Sequence, residues 1–188
     1  VRNQVLYRED ELVSGDLLLL AKNNYYWSED YDEIDFIANG DVARVSRVSG
    51  TEEAYGFRFA RVTLDFPDHE VELDARVVLD ALTTDAPALT REQNEKLFMQ
   101  VQQELPGDKR ARYRALKKNG FFNALQVKYG YTVTCHKAQG GQWKNVFIDM
   151  GAIPDDAMLT LDFYRWLYTA LTRATGHVYL INSRLEWQ

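Results

Sequence analysis

Between residues 36 and 82 apolar and polar residues alternate with the short period of a strand, and this pattern limits the fold more than any other feature. DVARVSRV alternates over Val42, Arg44, Val45 and Val48. FRFARVTLDF alternates again, with Phe57, Phe59, Val62 and Leu64 as candidates for one inner face. HEVELDARVVL supplies a further strand. Turn signals at Asn39-Gly40-Asp41, Ser49-Gly50 and Pro67-Asp68 separate the runs. Short strands at this spacing predict a small β-barrel. Upstream, Ser14-Gly15-Asp16 feeds the apolar run Leu17–Ala21, read as a buried strand. The acidic stretch Ser28–Asp35 lacks ligand-like spacing and reads as a solvated loop.

After residue 90 the period changes. Thr90 followed by Gln93 is a capping-box pattern, and Leu97, Val101 and Leu105 fall at helical spacing. Pro106-Gly107 breaks that helix. DKRARYRALKK resumes it, with six Lys and Arg in the ten residues from Lys109, and Asn119-Gly120 ends it. The last third reads as α/β: LQVKYGYTVTC and VFIDM as strands, Leu161–Arg173 as a helix with Phe163, Leu167, Ala170 and Leu171 on one face, and HVYLI as a closing strand.

A chain of 188 residues with 46% hydrophobic and 27% charged residues has globular values, which exclude disorder. The net charge of −6 divides unevenly: residues 1–90 hold 8 Lys and Arg against 19 Asp and Glu, residues 91–188 hold 14 against 9. The positions of the basic residues therefore matter more than the sum. No apolar run approaches a membrane span, and nothing at the start resembles a signal peptide. The single cysteine, Cys135, excludes an internal disulfide and predicts a reducing, cytoplasmic setting. An opening Val1 in place of Met is what a fragment or processed product would show.

Two segments concentrate chemistry. In residues 132–150 a predicted strand ends in Thr132-Val133-Thr134 and is followed by His136, Lys137, Gln139, Gly140 and Gly141. Hydroxyls, imidazole, ammonium and turn amides all suit phosphate, and the expected place is the carboxyl end of a parallel strand. In residues 166–181 a helix ends at Thr172-Arg173-Ala174, where a guanidinium can meet phosphate as a fork or cap its own helix. Cys135 beside His136 points to the opposite face, which predicts a thiol in the core rather than a nucleophile.

TVTCHKAQGGQWKNV (residues 132–146) resembles motif V of superfamily 1 DNA helicases, and LYTALTRA (residues 167–174) resembles motif VI. The RecD-like and Dda-like branch, which includes the exodeoxyribonuclease V alpha subunit, is the nearest in pattern. GDLLLLAKNNYYW followed by IANGDVARV is similar to the entry into that branch's SH3-like insert, and Arg2 in VRNQVLY to its motif IV arginine. The resemblance implies an α/β, RecA-like (P-loop NTPase type) second helicase domain in residues 1–10 and 119–188. It implies an SH3-like β-barrel insert in residues 11–90 and a helical connector in residues 91–118.

By the same resemblance Arg173 is an arginine finger acting on ATP. Arg2, Gln139, Gly140 and Gln142 would bind nucleotide, and Thr132, Thr134, His136 and Lys137 would bind single-stranded DNA. Gln142 stands where the family usually has Glu, so the expected ribose contact lacks a charge. No G-x-x-x-x-G-K-[ST] occurs in the chain, and no metal ligand set is expected in it. Magnesium and most of the ATP contacts are assigned to an N-terminal RecA-like domain of the same protein. Nuclease or repair subunits are further partners the branch suggests, and a membrane is not one. A non-enzymatic nucleic-acid-binding or protein-docking module built on the barrel and the basic helix is the alternative.

Overall fold

The computed structural model describes residues 2–184. It divides into two compact units, Val1–Thr132 and Val133–Gln188.

The first unit is a closed five-stranded barrel with three helices. Its strands are β1 (Leu17–Leu20), β2 (Val42–Ala54), β3 (Phe57–Phe66), β4 (Val71–Val78) and β5 (Leu125–Tyr129), hydrogen-bonded in that order and closed by β5 on β1. All neighbours are antiparallel except β4 and β5. The helices α1 (Asp80–Thr83), α2 (Arg91–Glu104) and α3 (Lys109–Lys117) fill the connection between β4 and β5. Closure leaves no free sheet edge.

β3 serves two cores. Ala60, Val62, Leu64 and Phe66 point into the barrel with Leu18, Leu20, Val45, Leu73, Val77 and Val127. Phe57 and Phe59 point outward and are covered by Leu97 and Val101 of α2 and Leu116 of α3. Phe59 and Val62 are an odd number of residues apart, so the pleat sends them to opposite faces, and the single inner face expected for all four is corrected. The capping box is present: Thr90 Oγ1 accepts from Gln93 N–H, and Thr90 N–H donates to Gln93 Oε1 at 2.8 Å.

The expected boundary near residue 119 also moves. LQVKY is the closing strand of the barrel, not the first strand of an α/β layer, because β1 lacks a second neighbour until β5 supplies one. The barrel unit therefore takes in residues 1–10 and 91–132, which the sequence divides between a connector and the α/β layer.

The second unit holds β6 (Trp143–Asp149), a short 3-10 turn, α4 (Leu161–Leu171) and β7 (Ala174–Ile181). β6 and β7 pair in parallel, so the helix between them is a crossover. Ile148, Met150, Met158, Phe163 and Ala170 form its core. Leu171, expected on the buried face of α4, is 39% exposed. The elements are one β-α-β unit, and among the described residues strand residues outnumber helical ones. Among the described residues no helix is long and apolar enough to cross a membrane.

Candidate functional site

Arg173 ends α4, and its guanidinium is held by three acceptors. Nε donates to Thr169 O at 3.1 Å, one terminal nitrogen to Gly141 O at 3.2 Å, and the other to Thr172 Oγ1 at 3.1 Å. An arginine has five N–H donors, so two remain free, one on each terminal nitrogen. The helix-capping and phosphate-facing readings are therefore compatible: the cap fixes the plane and leaves part of the fork unspent. Trp143 N–H donates to Arg173 O at 2.8 Å, which ties the same residue to the first residue of β6.

Gly141 belongs to the turn carrying the other candidates. Ala138 N–H donates to Thr134 O, Gln139 N–H to His136 O, and Gly141 N–H to Ala138 O, at 3.1–3.3 Å. Lys137 N–H reaches Thr134 Oγ1 at 3.4 Å. Ala138 is buried as the pivot, while Thr134, His136, Lys137, Gln139, Gly140 and Gln142 are exposed. Gly140 has φ +89°, and a Cβ placed on it would meet nothing within 4 Å, so glycine is needed there for the backbone angle alone.

The turn thus brings Thr134, His136, Lys137, Gln139, Gly140, Gln142 and Arg173 to one edge of the β-α-β unit. That edge is the amino end of β6 and β7, since Gln142 precedes β6 and Arg173 precedes β7. The expected strand through Thr132–Cys135 is absent: β5 stops at Tyr129 and a non-repetitive segment follows. The expectation of a site at a carboxyl end is corrected accordingly. Such a site relies on turn amides and side chains rather than on the strand ends of an open sheet.

Cys135 packs on the core with Sγ 3.5 Å from Trp166 O. Burial pushes its thiol up against the opposing pull of Arg173, which disfavours the thiolate.

Two predicted residues lie in the other unit. Thr132 is the exposed last residue of the barrel unit. Arg2 is a structural latch: Nε and a terminal nitrogen donate to the two carboxylate oxygens of Asp16 at 2.9 Å, with further bonds to Arg8 O and Asp10 O. Asp16 is fully buried and also accepts from Arg8, Tyr131 and Val13 N–H. Burial alone would raise its carboxyl, but the bonds from Arg2, Tyr131, Val13 and Arg8 outweigh it and hold the pKa below its ordinary value of 3.8. In this structure the Asp16 carboxylate takes both prongs of the Arg2 fork, whereas the resemblance assigns Arg2 to the nucleotide. Sequence reasoning misses Asp16, whose only signal is a charge abutting the run Leu17–Leu20.

Residues 129–181 match the UvrD-like helicase C-terminal domain family. The matched stretch covers the exposed turn, β6, α4, Arg173 and β7, and it marks a superfamily 1 helicase C-terminal region. No curated protein matches the chain. Among the described residues no group of three or more His, Cys, Asp or Glu is placed to hold a metal ion.

Proposed function

We propose that this chain is part of an ATP-dependent DNA helicase of the RecD-like branch, contributing the second RecA-like domain with an SH3-like barrel insert. The observation that carries the proposal is the Arg173–Gly141 hydrogen bond, which couples the end of the motif VI helix to the motif V turn inside the helicase-matched stretch. The exposed Thr134, His136 and Lys137 on that turn would meet the sugar-phosphate backbone of a single strand. Gln139 and Gln142 would reach the nucleotide, with Gln142 accepting from ribose as a neutral amide. The two free N–H groups of Arg173 would face the transferring phosphoryl group, where charge spreads over the equatorial oxygens in the transition state. Magnesium, held by another part of the enzyme, would neutralise the phosphates. A shift of Arg173 on domain closure would move Gly141 with it, and so transmit to the DNA-facing turn.

The test is Arg173→Ala in the whole helicase, with Arg173→Lys to retain the charge. Turnover should fall roughly 10³–10⁵-fold, with nucleotide affinity much less affected. The segment alone should turn over no ATP. A folded Arg173→Ala enzyme with near-parental hydrolysis would remove the assignment.

A further inference from the structure

The cationic face of α3 is absorbed neither by the fold nor by the site above. Lys109, Arg110, Arg112, Arg114, Lys117 and Lys118 lie in ten consecutive residues, and no ion pair among the described residues includes any of them. The unit that carries them is otherwise acidic: residues 1–132 hold 17 Lys and Arg against 23 Asp and Glu.

Their arrangement works against helix stability. Lys109 and Arg110 occupy the first turn, where the helix dipole disfavours cations. Arg110 and Arg114, and Arg114 and Lys118, are like charges four residues apart, a repulsive spacing on a helix surface. Only Asp108 offsets them at the start, and its carboxylate caps Ala111 N–H at 2.8 Å. Arg114 and Lys117 sit in the last turn, where the dipole favours them, but among the described residues no carboxylate pairs with the stripe, which leaves its charge open to an external anion.

The geometry points to a single-stranded nucleic-acid backbone held along Arg110, Tyr113, Arg114 and Lys117. These positions follow i, i+3, i+4 and i+7, so they share one exposed face, while off that face Ala111 and Ala115 are half-buried and Leu116 is buried in the second core. Tyr113 lies in the middle of the stripe, 53% exposed, with Lys117 Nζ 5.1 Å from its ring centre. An aromatic ring between cations is what a strand needs to stack a base and neutralise its neighbouring phosphates. An anionic membrane fits less well, because α3 spends its apolar face on the protein core and shows no large aliphatic residue outside. An acidic protein surface would have no use for the ring. The inference rests on the helicase reading only for the expectation that nucleic acid is at hand.

The experiment is fluorescence anisotropy of the 188-residue chain with labelled oligothymidylate over a salt series. Parallel arms use heparin and phosphatidylserine vesicles. The triple variant Arg110→Gln/Arg114→Gln/Lys117→Gln should flatten the log–log salt slope by about 2, from ~0.7 per lost phosphate contact, and weaken binding at least tenfold at low salt. The corresponding Arg→Lys variants should keep the slope. Tyr113→Ala should weaken oligothymidylate roughly tenfold, with an unchanged slope and unchanged heparin binding. Gln is a good helix former and the substituted residues are exposed, so circular dichroism should remain that of the parent chain. If His136→Ala/Lys137→Ala abolishes binding while the triple variant matches wild type, the α3 proposal fails and the helicase reading stands. If α3 carries all the binding, the DNA role of the turn fails instead. A wild-type chain that binds vesicles or heparin but no oligothymidylate overturns the α3 proposal.

Discussion

The two units use the same building material and reach different degrees of completion. In the barrel unit five strands close on themselves, two cores lie on either side of β3, and the charged Asp16 is fully paired. In the β-α-β unit two strands leave an edge each, and the core is a small group of buried side chains around Met150 and Phe163. Phe147 and Tyr179 stack on each other at 4.7 Å on the uncovered face of the sheet, 65% and 45% exposed. Leu161, Tyr164, Tyr168 and Leu171 form an apolar line on the outside of α4. The difference teaches that closure and burial are unevenly shared between the two units. The barrel unit buries its apolar surface, while the unit carrying Arg173 and the exposed turn does not, and two-stranded sheets are marginal by themselves.

Substitutions can break this contrast at either end. The largest effect is expected for Asp16→Ala. It leaves Arg2 and Arg8 without their shared carboxylate and Val13 N–H without an acceptor, which should cost the barrel unit about 3–5 kcal/mol in urea unfolding. The same network sets a pH dependence. A carboxyl whose folded pKa lies below 3.8 stabilises the fold above that value, so the contribution should fade as pH drops through the depressed folded value. An acid titration of the wild-type chain against Asp16→Ala measures it, and parallel titration curves would show that Asp16 is not the linked group.

Gly176→Ala tests the other unit. A Cβ there would sit 2.6 Å from Lys144 O, where β6 and β7 change register between Trp143 and Asn145. Backbone must shift, and a loss of about 1–3 kcal/mol is expected, read as faster proteolysis within residues 133–184 while the barrel resists. Equal loss of protection in both units would mean that they unfold as one.

The smallest effect makes the sharpest comparison. Thr90 caps α2 in the barrel unit and Thr160 caps α4 in the other, each through its hydroxyl to the third residue of the helix. Each Thr→Ala should cost about 1 kcal/mol. The same increment multiplies the opening constant of either helix by the same factor, roughly fivefold, so the contrast lies in the absolute values: α4 should exchange faster than α2 in parent and variants alike. Equal protection factors would refute the contrast in stability.

Local chemistry is legible in the residues themselves. Thr90 and Gln93 specify their cap, Gly- and Asn-containing turns punctuate β2 to β4, and Thr172-Arg173-Ala174 marks a helix end whose arginine donates back to Thr169 O. Cys135 does pack on the core as expected, but from a turn rather than from the alternating strand on which the expectation rests. The cap, the turns and the helix end depend on neighbours within about one turn of chain, which a sequence displays directly. Three others are decided by residues far apart. Whether LQVKY closes the barrel or opens an α/β layer depends on the unpaired edge of β1, far earlier in the chain. The side to which Phe57 and Phe59 turn depends on α2 and α3 arriving to cover them. Arg2 is claimed by Asp16, a carboxylate that burial makes costly to leave unpaired, and no local pattern records which guanidinium will satisfy it. Periodicity and caps are properties of a segment, whereas edge pairing, face coverage and charge neutralisation are properties of surfaces that exist only once the chain has folded.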